Sequence, residues 1–388
     1  MQDSVWFRTL GEEELSLLGE SDPLPQAAEV VIVGAGMIGL ATAYYLSVKG
    51  ISNICVLDRG TAAGEASGAN AGGLWFGQAS PEMGPLVPLA HASSRLYDKL
   101  AASPGFNFDL RRTGLLELLY SEADWQHAYS LVRSVRQAGF LAEEIERGQL
   151  HRLEPALGIR PAGAVFYPDE AQINPVKLGA ALVRHLRNRE VKFCLDAEVL
   201  RLEPRVATSG GDVDAGTTVI ASGSWTPLVT RVLGYTPPIK PMRGQLLATE
   251  PRPPLVHHTV LGRDFYHWQL AEGYMAGGGT VEDVGFERGV NPADLARIRS
   301  EMDELFPALR GLPTACAWSG FRPCCEDLKP VIGKVPGQER VYVAAGHYKK
   351  GIMLAPVTGK ILADLITKGK TDLPIEALDP ARFGQERP

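Results

Sequence analysis

Apolar residues recur along this chain at two spacings, one suited to strands and one to helices. Val30 to Val33 is an unbroken apolar run, as a strand buried on both faces requires. A helical pattern comes next over Met37 to Leu46, then a second apolar strand over Ile51 to Leu57. Pro85 to Leu100 and Asp124 to Ala138 also carry the helical spacing, with a strand over Gly114 to Tyr120 between them. Asn174 and Pro175, a cap and first-turn pair, open a helix over Val176 to Asn188. Val191 to Glu203 and Val213 to Ala221 read as outer elements of the sheet that the first strand begins. From Pro238 to Gly279 apolar and polar positions alternate and aromatics appear, which predicts an antiparallel sheet with one face lining a site. Asn291 caps a helix from Pro292 to Phe306, and the stretch from Val341 predicts a buried strand, a glycine-rich turn and a final helix. Both ends of the chain thus belong to one parallel-sheet domain, with antiparallel material between them.

The turn after the first strand indicates a ligand. Gly34, Gly36 and Gly39 stand directly after Val33 as GxGxxG, and the second strand ends in Asp58 and Arg59. In such a βαβ unit Gly34 permits the tight turn, Gly36 lets a pyrophosphate approach the backbone, and Gly39 lets the helix pack on the strand. The free amides at the helix start, around Met37 and Ile38, point at the turn, and the Asp58 carboxylate can accept from ribose hydroxyls. An acid there disfavours a 2′-phosphate, which leaves NAD or FAD. The small-residue run after Arg59, with Ala66, Ser67, Ala71, Gly72 and Gly73, lets the backbone pass close to something flat. The stretch from Val219 to Trp225 brings more bare backbone, at Ala221 and Gly223, to the same crevice. The predicted class is α/β with two domains (α+β overall), a Rossmann-like dinucleotide-binding domain interleaved with an antiparallel-sheet substrate domain.

Composition narrows the setting. With 388 residues, 45% hydrophobic and 22% charged, the chain is long enough for two large cores and ordinary for a soluble globular protein. A net charge of -6 favours neither nucleic acid nor an anionic membrane as partner. No apolar stretch approaches the roughly 18 residues of a membrane span, and the acidic start lacks a signal peptide, so a cytoplasmic protein is expected. Five scattered cysteines suit reduced thiols, and no metal-ligand spacing is present. Residues 1–28 form a leader whose Val5, Trp6, Phe7, Leu10, Leu15 and Leu17 are expected to pack on the same chain.

EVVIVGAGMIGLATAYYL, VIASGSW, GFRP at Gly320 to Pro323, and AAGHYKKGIMLAPVTG at Ala344 to Gly359 together resemble the FAD-dependent amino acid oxidase superfamily, especially glycine oxidase and its relatives. The resemblance covers nearly everything after residue 28. It implies FAD as cofactor, with the small-residue loop beside the flavin, the backbone of Val199 at the adenine, and the amides of Gly351, Ile352 and Met353 near the pyrimidine oxygen. His347 and Tyr348 surround that last turn. Arg322 matches the arginine that binds the substrate carboxylate, Tyr266 its hydroxyl partner, and Lys349 stands where glycine oxidases have an arginine. Sarcosine oxidases attach FAD through a cysteine, but that position aligns with Gly320, so Cys324 and Cys325 are expected to be ordinary thiols and the FAD non-covalent.

One strand departs from the glycine oxidase pattern. Tyr266, His267, Trp268, Gln269 and Leu270 look more like the flavoprotein subunits of proline, hydroxyproline and opine dehydrogenases and of hydrogen cyanide synthase. The resemblance therefore implies oxidation of the C–N bond of a small amino acid, glycine, D-amino acid, sarcosine or proline-type, by hydride transfer to flavin. It leaves two acceptors, oxygen or a quinone or partner redox protein, and a homo- or hetero-oligomer. The expected division gives 29–105, 166–235 and 316–374 to the FAD-binding domain, 106–165 and 236–315 to the substrate domain, and 375–388 to a C-terminal tail.

Overall fold

The computed structural model describes residues 4–158, 161–203 and 205–384, built around two eight-stranded sheets. In the first, the strands run in the order Val331–Lys334, Val341–Ala345, Gly211–Ile220, Ala27–Val33, Ile54–Leu57 and Lys192–Cys194. All pairs along this path are parallel except that of the edge strand Val331–Lys334. Ala27–Val33 has partner strands on both sides, and both of its faces are covered. Val30 and Ile32 are covered by the core shared with the helices, Val31 by a cluster with Val206 and Val213, and Val33 by one with Val341 and Val343. This is why Val30 to Val33 are all buried and why the run carries no polar residue.

The place of Gly211–Ile220 corrects the sequence expectation. It is not an outer element but lies between Ala27–Val33 and Val341–Ala345, paired with both. An apolar run reveals burial on two faces and nothing about its neighbours. Of the other stretch, Lys192–Cys194 is the outer strand, while Val199–Arg201 leaves to pair with Val206–Thr208.

The second sheet runs Thr314–Cys325, Ile239–Thr249, Met275–Gly278, Tyr266–Gln269, Thr259–Leu261, Leu115–Leu119, Gly163–Tyr167 and Glu143–Glu146. It is antiparallel apart from the pair of Thr259–Leu261 with Leu115–Leu119. Thr314–Cys325 pairs along its length with Ile239–Thr249, so residues 316–325, which the sequence reading puts with the first domain, are hydrogen-bonded into the second sheet. The chain rejoins the first sheet only at Val331. One face of the second sheet buries Ile298, Met302 and Leu305 of the helix Pro292–Leu305, which Asn291 caps by accepting from the Ala293 amide at 2.9 Å.

The helices Met37–Val48, Val87–Ala101, Pro175–Arg187 and Gly351–Lys368 share one core with the first sheet. Asn174 caps the third by accepting from the amides of Val176 and Lys177, both at 3.1 Å. Gly351–Lys368 meets Met37–Val48 backbone to backbone, since a Cβ on Gly359 would lie 2.5 Å from the carbonyl of Ala41. No helix among the described residues is long and apolar enough to cross a membrane.

The leader packs on its own chain through Val5, Trp6 and Phe7, while Leu15 stands 40% exposed, against the expectation for it. Val5, Trp6 and Phe7 are buried, Ser4 Oγ donates to the Gly68 carbonyl and Trp6 Nε1 to the Asn70 carbonyl, both at 2.7 Å. Trp6 also stacks on Trp268 of the second sheet, with ring centroids 6.3 Å apart. The described part of the tail is docked too, with Leu378 and Pro380 buried and Arg382 paired to Asp327.

Candidate active site

The first sheet ends its strands toward the second, and a cavity of about 680 Å³ lies between them. That falls in the upper part of the range of about 300–1,000 Å³ usual for ligand sites. Of the residues singled out by sequence, all but Gly39 line it. Gly39 stands behind the turn, where a Cβ would fall 1.9 Å from the Gly34 carbonyl oxygen, so this glycine sets the contact between helix and strand.

The turn is held by its own side-chain partners. Gly34 has a φ of 114°, and a Cβ on it would meet the Ala221 carbonyl oxygen at 2.5 Å. Asp58 Oδ2 accepts from the Ala35 amide at 2.7 Å and Oδ1 from the Gly60 amide at 2.9 Å. Burial pushes the pKa of this carboxyl up, against the pull of those two amides. Ser67 Oγ accepts from the Met37 amide at 2.8 Å, tying the small-residue loop to the helix start. Gly72, with a φ of 72°, passes so close to the Ile173 carbonyl that a Cβ would lie 2.3 Å from its oxygen. Arg59 lies on the ring of Trp225, 4.2 Å from its centroid. Backbone lining the cavity at Gly34, Gly36 and Gly72, beside a helix start, fits a flat dinucleotide that needs close approach and amide donors.

The other end begins at the helix Gly351–Lys368. Tyr97 and Ser93 donate to the carbonyls of Ile352 and Met353 and so fix its first turn. His347 is buried against Thr358 Oγ1 at 3.0 Å, and burial alone pulls its pKa down to about 3, so it is neutral at ordinary pH.

Across from this turn Arg322 lies flat over Gly244, where a Cβ would sit 2.1 Å from Nη1. Its Nη1 donates to the Thr280 carbonyl at 2.7 Å, and it forms no ion pair among the described residues. Desolvation holds its pKa below the usual arginine value. Tyr266 stacks on Trp75 at 4.3 Å between centroids, and its hydroxyl donates to Gln78 Oε1 at 3.5 Å. Burial raises the Tyr266 pKa, so the phenol keeps its proton. Lys349 stands exposed at the cavity mouth, its pKa lowered first by burial and then by Arg322. A guanidinium and a phenol in an enclosed space, with no carboxylate of their own, suit a bound carboxylate.

Trp75, Gln78, Glu82, Gly244 and Lys350 also line the cavity and escape the sequence reading. Gly244 carried a signal, since an isolated glycine in a strand marks a close approach. Trp75 and Gln78 come after the small-residue run, where nothing in the pattern distinguishes a wall from a link. The backbone at Gln78 is positioned by Glu170, a buried carboxyl that accepts from the amides of Gly77 at 2.6 Å and Gln78 at 2.9 Å. Burial raises the Glu170 pKa to about 8.

Comparison with known proteins finds similarity along most of the chain. The family model "FAD dependent oxidoreductase" matches residues 29–365. The glycine oxidase of Geobacillus kaustophilus is 29% identical over 370 residues, covering 92% of this chain and 97% of that protein. A crystal structure of glycine oxidase from the same species superposes with a TM-score of 0.87 at 28% identity, covering 92% of this chain and 99% of that one. The hydrogen cyanide synthase subunit HcnC of Pseudomonas aeruginosa is 28% identical over 404 residues, covering 92% of this chain and 97% of its own.

Proposed function

This chain belongs to the FAD dependent oxidoreductase family, and from that premise we propose that it oxidises the Cα–N bond of a small amino acid to an imine. The Cα hydrogen leaves as a hydride, the nitrogen lone pair closes the C=N bond, the amine proton passes to solvent, and water then hydrolyses the imine. FAD, when bound, supplies the hydride acceptor. The chain's own work is binding and orientation, and no protein nucleophile is required.

The observation that carries this reading is Arg322, an enclosed guanidinium with a carbonyl as its hydrogen-bond partner and no carboxylate paired to it among the described residues. Its fork meets both oxygens of a substrate carboxylate, Gly244 leaves it the room to lie flat, and Tyr266, held by Trp75, offers a hydroxyl beside it. Gly34, Gly36, Met37 and Ile38 would hold the pyrophosphate, Val199 the adenine, and the first turn of Gly351–Lys368 the pyrimidine edge. The flavin is held without a covalent bond, because Gly320 lines the cavity where a linking cysteine would have to stand, and Cys324 and Cys325 are buried. Acid or heat should therefore release the yellow colour from the polypeptide, and colour that stays with the precipitate would refute the assignment.

The experiment is anaerobic stopped-flow reduction with glycine, sarcosine, D-alanine, both prolines and the hydroxyprolines. A flavin that dithionite reduces but that neither these amines nor the corresponding amino dicarboxylates reduce would sink the proposal. The second reading, a dehydrogenase subunit passing electrons to a quinone or partner, draws on the similarity to HcnC, a protein named as a subunit. Gln269, part of the strand that suggested this reading, faces away from the cavity chemistry. Its Oε1 accepts from the amides of Leu255 at 2.7 Å and Val256 at 3.0 Å, clamping a loop of the second sheet. The reoxidation rate of the reduced protein in air separates oxidase from dehydrogenase.

A further inference from the structure

We propose that the substrate carries a second carboxylate, received by Lys350 with Lys349 at its side, so that the enzyme's preferred class is amino dicarboxylates. This rests on the reading of the cavity as an amino acid oxidising site. Lys350 lines that cavity and is 5% exposed, yet its ammonium has no ion pair and no hydrogen bond among the described residues. A buried cation without a partner is costly enough that it usually implies a ligand or a function.

Its position makes the cost larger. Lys350 immediately precedes Gly351, the first residue of an 18-residue helix, where the helix dipole already places partial positive charge and favours anions over cations. Burial lowers the Lys350 pKa and Lys349 lowers it further, while Lys349 is itself lowered by burial and by Arg322. Three cations therefore act on one another across this end of the cavity. The acid that acts on both lysines there is Glu82, an exposed residue of the same cavity lining that is paired with neither. The Cys324 thiol nearby is pushed up by burial and stays neutral, and Asp283 is taken by Lys240.

An amino acid with one carboxylate and a neutral amine brings a single negative charge, which the Arg322 fork engages. That leaves Lys350 as before, buried and unpaired beside a positive helix end. A second carboxylate on the same substrate meets the Lys350 ammonium, and balances the three cations with Glu82 included. The rival explanation is that the lysines serve only the negative edge of reduced flavin, which would favour every substrate alike.

The test uses matched pairs on the FAD-loaded enzyme: alanine against aspartate, 2-aminobutyrate against glutamate, each as both enantiomers, and sarcosine against iminodiacetate. Anaerobic flavin reduction should be at least tenfold more efficient, as rate constant over dissociation constant, for the dicarboxylate of the best pair. Lys350→Met should cut that ratio tenfold or more, and Lys350→Arg should keep most of it. Binding of the unreactive glutarate and butyrate, tracked through the visible flavin absorption, should show the same preference for two carboxylates and the same loss. Should Lys350→Met fail to hold FAD, the wild-type ratios and the glutarate titration decide alone. Monocarboxylates equal or better in every pair would overturn the inference while leaving the proposed function standing. Equal loss for both members of a pair in Lys350→Met would overturn it in favour of the flavin. If no amine of either kind reduces the flavin, the proposed function falls and this inference with it.

Discussion

The two sheets face one cavity with different atoms. The first presents backbone: Gly34, Gly36, Ala221 and the start of the helix Met37–Val48, with side chains such as Asp58 and Ser67 turned inward to hold the loop. The second presents side chains, Arg322 and Tyr266, laid over glycines that exist to leave them space. Backbone recognition suits a ligand that is always the same, because it depends on shape and on amides every residue carries. Side-chain recognition suits the partner that varies from one family member to another, because a single substitution can change it.

The comparison breaks if the wrong kind of mutation does the damage. On the side-chain wall, Arg322→Ala should remove amino acid turnover while FAD stays bound, a loss of about 3–5 kcal/mol, as when one member of a buried pair is truncated. Arg322→Lys should recover part of it, since charge survives and the fork does not. Near wild-type flavin reduction by the best substrate in Arg322→Ala would leave Lys349 as the anchor. On the backbone wall, Gly39→Ala should yield largely colourless protein, because a single methyl placed 1.9 Å from the Gly34 oxygen forces the helix off the strand at about 1–3 kcal/mol or more. Full flavin content in that variant would show that the turn tolerates displacement.

A finer test concerns a side chain that serves the backbone. Asp58→Ala should weaken FAD binding by about 1.5–3 kcal/mol, the worth of a charged hydrogen bond, without unfolding the protein. Titration of the apoprotein with FAD measures this, and unchanged affinity removes Asp58 from the site. The smallest effect concerns Glu170, which holds the amides of Gly77 and Gln78. Its folded pKa, about 8, lies above the ordinary 4.5, so the folded state binds the extra proton. The stability this contributes is fully present below about pH 4.5 and is lost as pH rises through about 8. Glu170→Gln should flatten that part of the melting temperature profile between pH 5 and 8, and a slope identical to wild type would show that the carboxyl is ionised throughout.

The same division explains what could be read from the sequence. GxGxxG after Val30–Val33 is legible because glycine spacing records a backbone shape directly, and the positions of Asp58 and Gly39 come with it. Arg322 and Tyr266 carry no such local mark, and only family likeness singled them out. Nothing in the sequence distinguishes Lys350 from its neighbour Lys349, since burial of a charged residue is decided by elements distant in sequence. The central place of Gly211–Ile220 was hidden for a related reason: strand order is a property of the whole sheet, and a run of apolar residues does not name its partner.

That pairing has a consequence for how the protein is made. The strand Ala27–Val33 leaves the ribosome well before its partner, since Val33 pairs with Ile220, which is made 187 residues later. Gly34 has no Ala221 beside it until then, and Thr314–Cys325 and Gly351–Lys368 arrive later still. Until Ile220 is made the nascent chain exposes an unpaired apolar strand edge, the condition in which chaperones are needed and aggregation competes. Added FAD can stabilise only the finished fold by mass action and cannot template the beginning. Slower translation or cooler expression should raise the soluble yield more than extra flavin does.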